Sequence, residues 1–275
     1  MSVINSGSFA KALWPGVNAW YGKAYTEYPV EYTSLFEKHT SSRAWEEDVG
    51  TSGLGLAVQK SEGAPISYDS ERQGFITRYQ HAVFALGFVI TREMMEDDQY
   101  DIVGKRKSEG LAMSMRQTKE IIAANVYNRA FSGSYTGGDG SALLATGHAN
   151  IAGGTWSNKL ATDADLSEAA LEQACIDIAG FTNDRGHLIA VRPETLIIPR
   201  QLMFEAKRIL NSDGRVGTDA NDLNALKTLG VIPKVVTNHY LTDTDAWFIR
   251  TNVKHGMKYF ERRADNFEMD NDFDT

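Results

Sequence analysis

The sequence predicts an α+β fold in which a compact helix-and-strand body carries an extended arm and a long hairpin. Three observations predict it. Residues 108–131 hold one long amphipathic helix, and residues 165–250 alternate short helices with short apolar strands. The first 80 residues are rich in large rings, Trp14, Trp20, Tyr21, Tyr25, Tyr28, Tyr32, Phe36 and Trp45, yet show no sustained 3.6-residue apolar period. Each such ring seeks burial of roughly 150–250 Å², and a segment poor in Leu, Ile and Val offers little to bury it against. A second chain is the economical source of that surface. Trp14, Trp20, Tyr21, Tyr25, Tyr28, Phe36 and Trp45 are therefore candidate intersubunit contacts, and a segment of this kind orders only against its neighbours.

In chain order, residues 1–40 read as an arm with a helical piece over Thr33–His39. Residues 41–80 read as a two-stranded hairpin: Leu54, Leu56 and Val58 share one parity, as do Ile66 and Tyr68, with Gly63 and Pro65 at the turn. Residues 81–91 predict a strand, with Val83, Ala85, Gly87 and Val89 on one face and Phe84, Leu86, Phe88 and Ile90 on the other. An acidic helical turn, Glu93–Asp98, suits the positive end of a helix. Leu111, Met115, Ile122, Val126 and Ala130 then form the inward stripe of the long helix, with Arg116, Lys119, Glu120 and Asn128 on the opposite face.

Residues 132–164, with seven glycines, predict a long loop. Asp165 caps a helix with Glu168 as its capping box; Leu171, Ala174, Cys175 and Ile178 make its stripe and Gly180 ends it. Leu188–Val191 and Leu196–Ile198 predict strands, Arg200–Asn211 and 221–229 helices, and Lys234–Thr237 and Ala246–Ile249 further strands. Phe267, Met269 and Phe273 alternate with Glu268, Asp270, Asp272 and Asp274, the pattern of a last strand with an acidic face.

Composition narrows the function classes. The 275 residues carry a net charge of −8, which argues against a nucleic-acid-binding surface. No apolar run approaches the roughly 20 residues of a membrane span, and Met1–Ala10 lacks the basic and apolar regions of a signal peptide. The single cysteine, Cys175, allows no internal disulfide and suits a reducing compartment.

Motifs for chemistry are nearly absent. The histidines at 39, 81, 148, 187, 239 and 255 form no metal-ligand spacing. Gly53-Leu54-Gly55 starts like a dinucleotide loop but has Val58 where the third glycine belongs. Asp270-Asn271-Asp272-Phe273-Asp274 copies half of a calcium loop without its glycine and distal glutamate, so a solvated strand edge is favoured. Cys175 lies on an apolar helix face, where a buried structural thiol outweighs a nucleophile. His148 near Asp139 lacks a partner that would orient it as a base. The sequence thus offers no catalytic, cofactor-binding or metal residue.

Four runs carry a family resemblance. They are Phe88-Val89-Ile90-Thr91-Arg92-Glu93-Met94 with Glu96-Asp97-Asp98; Leu166-Ser167-Glu168-Ala169-Ala170-Leu171; Val191-Arg192-Pro193-Glu194-Thr195-Leu196-Ile197-Ile198-Pro199; and Asn238-His239-Tyr240-Leu241-Thr242-Asp243-Thr244-Asp245-Ala246-Trp247-Phe248. Their order resembles tailed-phage major capsid proteins of the HK97-like fold, Mu-like and related head subunits. The resemblance implies an N-terminal arm over 1–40, an E-loop hairpin over 41–80, and a P-domain over 81–164 comprising strand, spine helix and Gly-rich loop. It further implies an A-domain over 165–250 and a return to the P-domain sheet over 251–275.

The implied function is that of a major capsid subunit, not an enzyme, assembling in the bacterial host cytoplasm into hexamers and pentamers of an icosahedral virion shell around double-stranded DNA. The implied partners are further copies of itself, a separate scaffolding protein, a portal protein and a decoration protein; the DNA is held without specific binding and no membrane is involved. Some relatives cross-link an E-loop lysine, a role for which Lys60 is the candidate, against a plain solvated lysine. An encapsulin-type shell around cargo enzymes is the alternative of the same fold.

Overall fold

In a computed structural model, residues 10–91, 97, 102–214, 222–254 and 256–268 are described. The N-terminal segment is more regular than an extended arm. Helix α1 spans Ala10–Glu27, a single turn α2 spans Tyr32–Leu35, and strand β1 runs over Glu37–Thr40. The helical piece expected at Thr33–His39 thus stops at Leu35, and His39 lies in a strand. The long helix, α3 (Ile102–Asn128), supplies the surface that was expected from another chain. Tyr21 and Ala24 of α1 bury against Leu111 and Ala112, and Tyr32, Leu35 and Phe36 bury against Ala123, Tyr127 and Ala130.

The face of α3 that does this is only partly the expected one: Leu111 and Ala130 are buried as expected and Met115 packs against the Leu111 cluster. Arg116 and Glu120 are buried, whereas Val126, expected inward, is 41% exposed. The small residues Ser108, Ala112, Ala123 and Ala124 line the buried side. They let α1 and α2 approach closely, and the buried Glu120 carboxylate between them finds specific backbone partners.

β1 pairs in parallel with β9 (Lys258–Glu261), Glu37 opposite Lys258 through Thr40 opposite Glu261. The hairpin forms from β2 (Trp45–Thr51) and β3 (Gln73–Gln80), antiparallel from Trp45–Gln80 to Thr51–Gln73, with a register slip between Val49 and Thr51. Leu54, Leu56, Val58, Ile66 and Tyr68, expected within its ladder, fall between the two strands and outside any ladder. Gly53 and Gly63, at φ of 63° and 78°, turn that chain in a way a regular strand does not allow.

Residues 81–91 form no ladder either, contrary to expectation. Their alternation would fill a strand buried on both faces, but among the described residues no strand pairs with them. Phe88 alone packs against the Tyr21 and Leu111 cluster, while Val83 and Val89 are each 92% exposed. Of the acidic turn Glu93–Asp98, all but Asp97 lies outside the described residues.

The long loop holds only a two-residue hairpin, β4 (His148–Ala149) with β5 (Thr155–Trp156). Helix α4 (Glu168–Ala179) is capped by Ser167, whose hydroxyl accepts the N–H of Ala170, so the cap lies two residues beyond Asp165. A three-stranded sheet follows, with β6 (Pro193–Pro199) between β7 (Lys234–Asn238), parallel, and β8 (Phe248–Thr251), antiparallel. Leu188–Val191 is not a strand: Leu188 is exposed and makes one bridge, to Thr182. After a 3-10 turn at Arg200–Leu202, helices α5 (Met203–Asn211) and α6 (Ala225–Leu229) cover one face of the sheet.

β6 is apolar on both faces because it divides two cores. Leu196 and Ile198 join Leu171, Ala206, Ile209 and Leu226; Ile197, pointing the other way, joins Tyr32, Leu35, Tyr127 and Phe248. At the C-terminal end Phe267 stacks on Tyr21 with ring centroids 5.0 Å apart but is not in a strand. Met269, Phe273 and the Asp270–Asp274 run lie outside the described residues.

Candidate assembly surface

The N-terminal turn is fastened by side chains from three distant parts of the chain. Glu120, 1% exposed, accepts the backbone N–H groups of Glu31 at 3.0 Å and Tyr32 at 2.9 Å. Burial pushes its carboxyl above the ordinary range, against the opposing pull of those two N–H groups and of Arg116. Tyr127 donates to the carbonyl of Leu35 at 3.2 Å, and Arg250 donates to that of Ser34 at 3.2 Å. Glu31 in turn accepts the backbone N–H of His239 at 2.9 Å and meets its ring nitrogen Nδ1 at 2.5 Å. Asn128 reads the next residues, donating to the Tyr240 carbonyl and accepting the Thr242 N–H. The run 238–242, noted in the sequence for its resemblance, is therefore the joint between the sheet domain, α3 and the N-terminal turn.

A second polar seat lies beneath α1. Lys119 donates to Asp265 at 2.6 Å and Glu261 at 3.0 Å, and Lys38 reaches the other oxygen of Glu261 at 2.5 Å. The Arg116 guanidinium lies 4.9 Å from the centre of the Tyr25 ring.

These joints leave one side of the hairpin and the segment after it uncovered. Leu54, Leu56, Val58, Ile66 and Tyr68 are exposed, Tyr68 to 91%, and so are Phe84 and Leu86. Single exposed apolar groups are normal, but this concentration of large ones in two neighbouring segments makes them the candidate interaction surface.

The candidate contact residues divide accordingly. Tyr21 and Phe36 are spent on in-chain packing, and Trp20 and Tyr25 are half-buried. Tyr28 and Trp45 are exposed, Trp45 with the Arg78 guanidinium 4.4 Å from its ring centre. Trp14 lies in α1, with its side chain outside the described residues. Lys60 is exposed between the hairpin strands. Sequence reasoning placed Leu54 to Tyr68 in a ladder and missed them as surface; the glycines around them were the available signal.

The chemical candidates resolve into structural roles. Asp139 bonds His148 Nδ1 at 2.6 Å, and the other ring nitrogen is buried with no partner among the described residues. Burial pulls the Asp139 carboxyl up, and His148 with the Ser141 N–H outweighs this to hold it low. Burial pushes the Cys175 thiol up, away from nucleophilic character. Gly55, of the incomplete dinucleotide motif, donates its N–H to Asp69. Among the described residues no three His, Cys, Asp or Glu side chains gather as a metal site, and no helix is long and apolar enough to cross a membrane.

Comparison with known proteins agrees with an assembling role. A family model described as phage capsid protein matches residues 75–275. Among solved structures the chain is similar to the bacteriophage JBD30 capsid, with a TM-score of 0.61 and 13% identity over 78% of this chain and 92% of that one. It is also similar to the JBD30 procapsid, at 0.55 and 14% over 84% and 99%. A third match is the JBD30 capsid decorated with minor capsid protein trimers, at 0.57 and 14% over 78% and 92%. No curated protein sequence matches.

Proposed function

Because the chain belongs to the phage capsid protein family, we propose that it is the major head subunit of a tailed phage, assembling with copies of itself into hexamers and pentamers of an icosahedral shell. The observation that carries this reading is the exposed apolar run from Leu54 to Tyr68 with its continuation at Val83–Val89. A solitary soluble chain gains nothing from that surface, whereas a shell subunit buries it against neighbours. Obligate interfaces of this kind bury roughly 2,000 Å² or more. The family match and the capsid likeness favour a phage head over an encapsulin-type compartment.

In this reading the shell forms in the host cytoplasm on a separate scaffolding protein, meets a portal at one vertex and encloses double-stranded DNA without gripping it. The net charge of −8 supports the last point. A decoration protein is a natural further partner, since the similar JBD30 capsid carries minor capsid protein trimers. In the same reading residues 1–40 are the arm, 41–80 the E-loop, 81–164 with 251–275 the P-domain, and 165–250 the A-domain.

The test is co-expression with the scaffolding protein, followed by negative-stain microscopy. Closed shells are expected from the wild type, and Leu56→Asp with Tyr68→Asp should leave folded subunits that do not close. A monodisperse species of 30.4 kDa under all conditions refutes the reading.

A further inference from the structure

The hairpin is tied to the rest of the chain at three levels. At its base Lys258 of β9 meets Asp48 at 2.5 Å, and Phe260 packs on Tyr79 with ring centroids 5.2 Å apart. At its middle Ile151, from the turn between β4 and β5, sits in a notch made by two glycines. A Cβ at Gly50 would lie 3.6 Å from Ile151 Cδ1, and one at Gly74 would overlap it. The Gly-rich loop also presses on β3 here, where a Cβ at Gly138 would lie 2.7 Å from Thr77 Oγ1.

At its far level the Asp69 carboxylate gathers the N–H groups of Gly55 at 2.7 Å and Ser70 at 2.8 Å. It also takes the Arg185 guanidinium at 2.9 Å, and Arg185 donates in addition to the Ser70 carbonyl at 2.5 Å. A side chain at Gly55 would crowd this knot, with its Cβ 3.0 Å from the Asp69 oxygen and 3.4 Å from Arg185 Nη1.

We propose that Arg185 and Asp69 form a detachable clasp that fixes the direction in which Leu54, Leu56, Val58, Ile66 and Tyr68 are presented, with Ile151 in the Gly50–Gly74 notch as its fulcrum. The two levels differ in kind. The notch is steric and indifferent to salt. The clasp joins two side chains that both meet water, so salt and single substitutions open it. Arg185 belongs to the turn after α4, so the clasp connects the sheet domain to a surface more than a hundred residues earlier in the chain. The proposal rests on the reading that this surface docks on neighbouring subunits, and it makes Arg185 a positioning residue for that docking.

The test uses free full-length subunits and the rate of tryptic cleavage after Lys60, followed by mass spectrometry. Arg185→Ala and Asp69→Asn should each speed that cut roughly two- to fivefold at low salt, the range an exposed ion pair supports. The wild type should approach them as salt is raised, while cleavage within α3 stays unchanged. Wild-type rates in both variants overturn the clasp. Acceleration by Asp69→Asn alone assigns the tie to the Gly55 and Ser70 N–H groups and overturns the role of Arg185. Acceleration by Arg185→Ala alone overturns that of Asp69. Shells closing normally with Leu56→Asp and Tyr68→Asp would sink the docking reading and leave the clasp standing, so the two failures are distinct.

Discussion

The buried carboxylate of Glu120 accepts the backbone N–H of Tyr32 at 2.9 Å and so caps a helical turn 88 residues earlier in the chain. Glu31, the residue preceding that turn, supplies no side-chain cap of its own. In Glu120→Ala the buried Tyr32 N–H and the part-buried Glu31 N–H lose their acceptor, and subunit stability should fall by about 1–3 kcal/mol. Glu120→Gln keeps one acceptor and should cost less. Urea unfolding of free subunits measures both, and a loss below about 0.5 kcal/mol in the alanine variant would show that water replaces the carboxylate.

Acid should weaken the seat beneath α1. Burial raises the Glu261 carboxyl, but hydrogen bonds from Lys38 and Lys119 outweigh it and hold it below the ordinary range. A carboxyl lowered in the folded chain adds stability that is complete above its unfolded value of about 4.3 and fades as pH falls through the folded value. Lys119→Met should therefore cost about 2–3 kcal/mol at pH 7, and its gap from the wild type should narrow below pH ~4. A gap of equal size at both pH values would falsify the assignment.

Deleting residues 1–35 should damage the subunit itself and not merely its assembly. Tyr21, Tyr32 and Leu35 are buried in two in-chain clusters, and their loss uncovers Leu111, Ala112 and Tyr127. The truncated chain is expected to aggregate or to melt well below the full chain in calorimetry. Recovery of a soluble subunit with an unchanged melting temperature would mean that α1 and α2 contribute nothing before assembly.

Lys60 should remain an ordinary solvated amine. It is exposed, and no partner for it occurs among the described residues. Boiled mature shells should run as single chains on a denaturing gel. Ladders that vanish in Lys60→Ala would reverse this expectation.

Elements whose residues pack against their own neighbours were legible in the sequence. α4 ends at Gly180 as expected, α5 matches its stripe through Ala206 and Ile209, and β6 reads as the apolar run that a strand between two cores requires. What escaped depended on distant partners. The buried face of α3 carries Arg116 and Glu120, which single-sequence periodicity assigns to water, because the groups that satisfy Glu120 lie about 90 residues away. Residues 81–91 have the composition of a strand, but pairing needs a partner edge that composition does not report. The Asp69 knot was invisible for the same reason: Gly53-Leu54-Gly55 suggested a loop, and only the fold brings Arg185 to it.

A strand whose two faces belong to different cores has a mechanical meaning. Ile197 cannot leave its side without dragging Leu196 and Ile198 from theirs, so neither half of the subunit can loosen alone. If the shell is loaded from within as proposed, force applied to either half would be carried by β6 into both, and the subunit should yield as one unit.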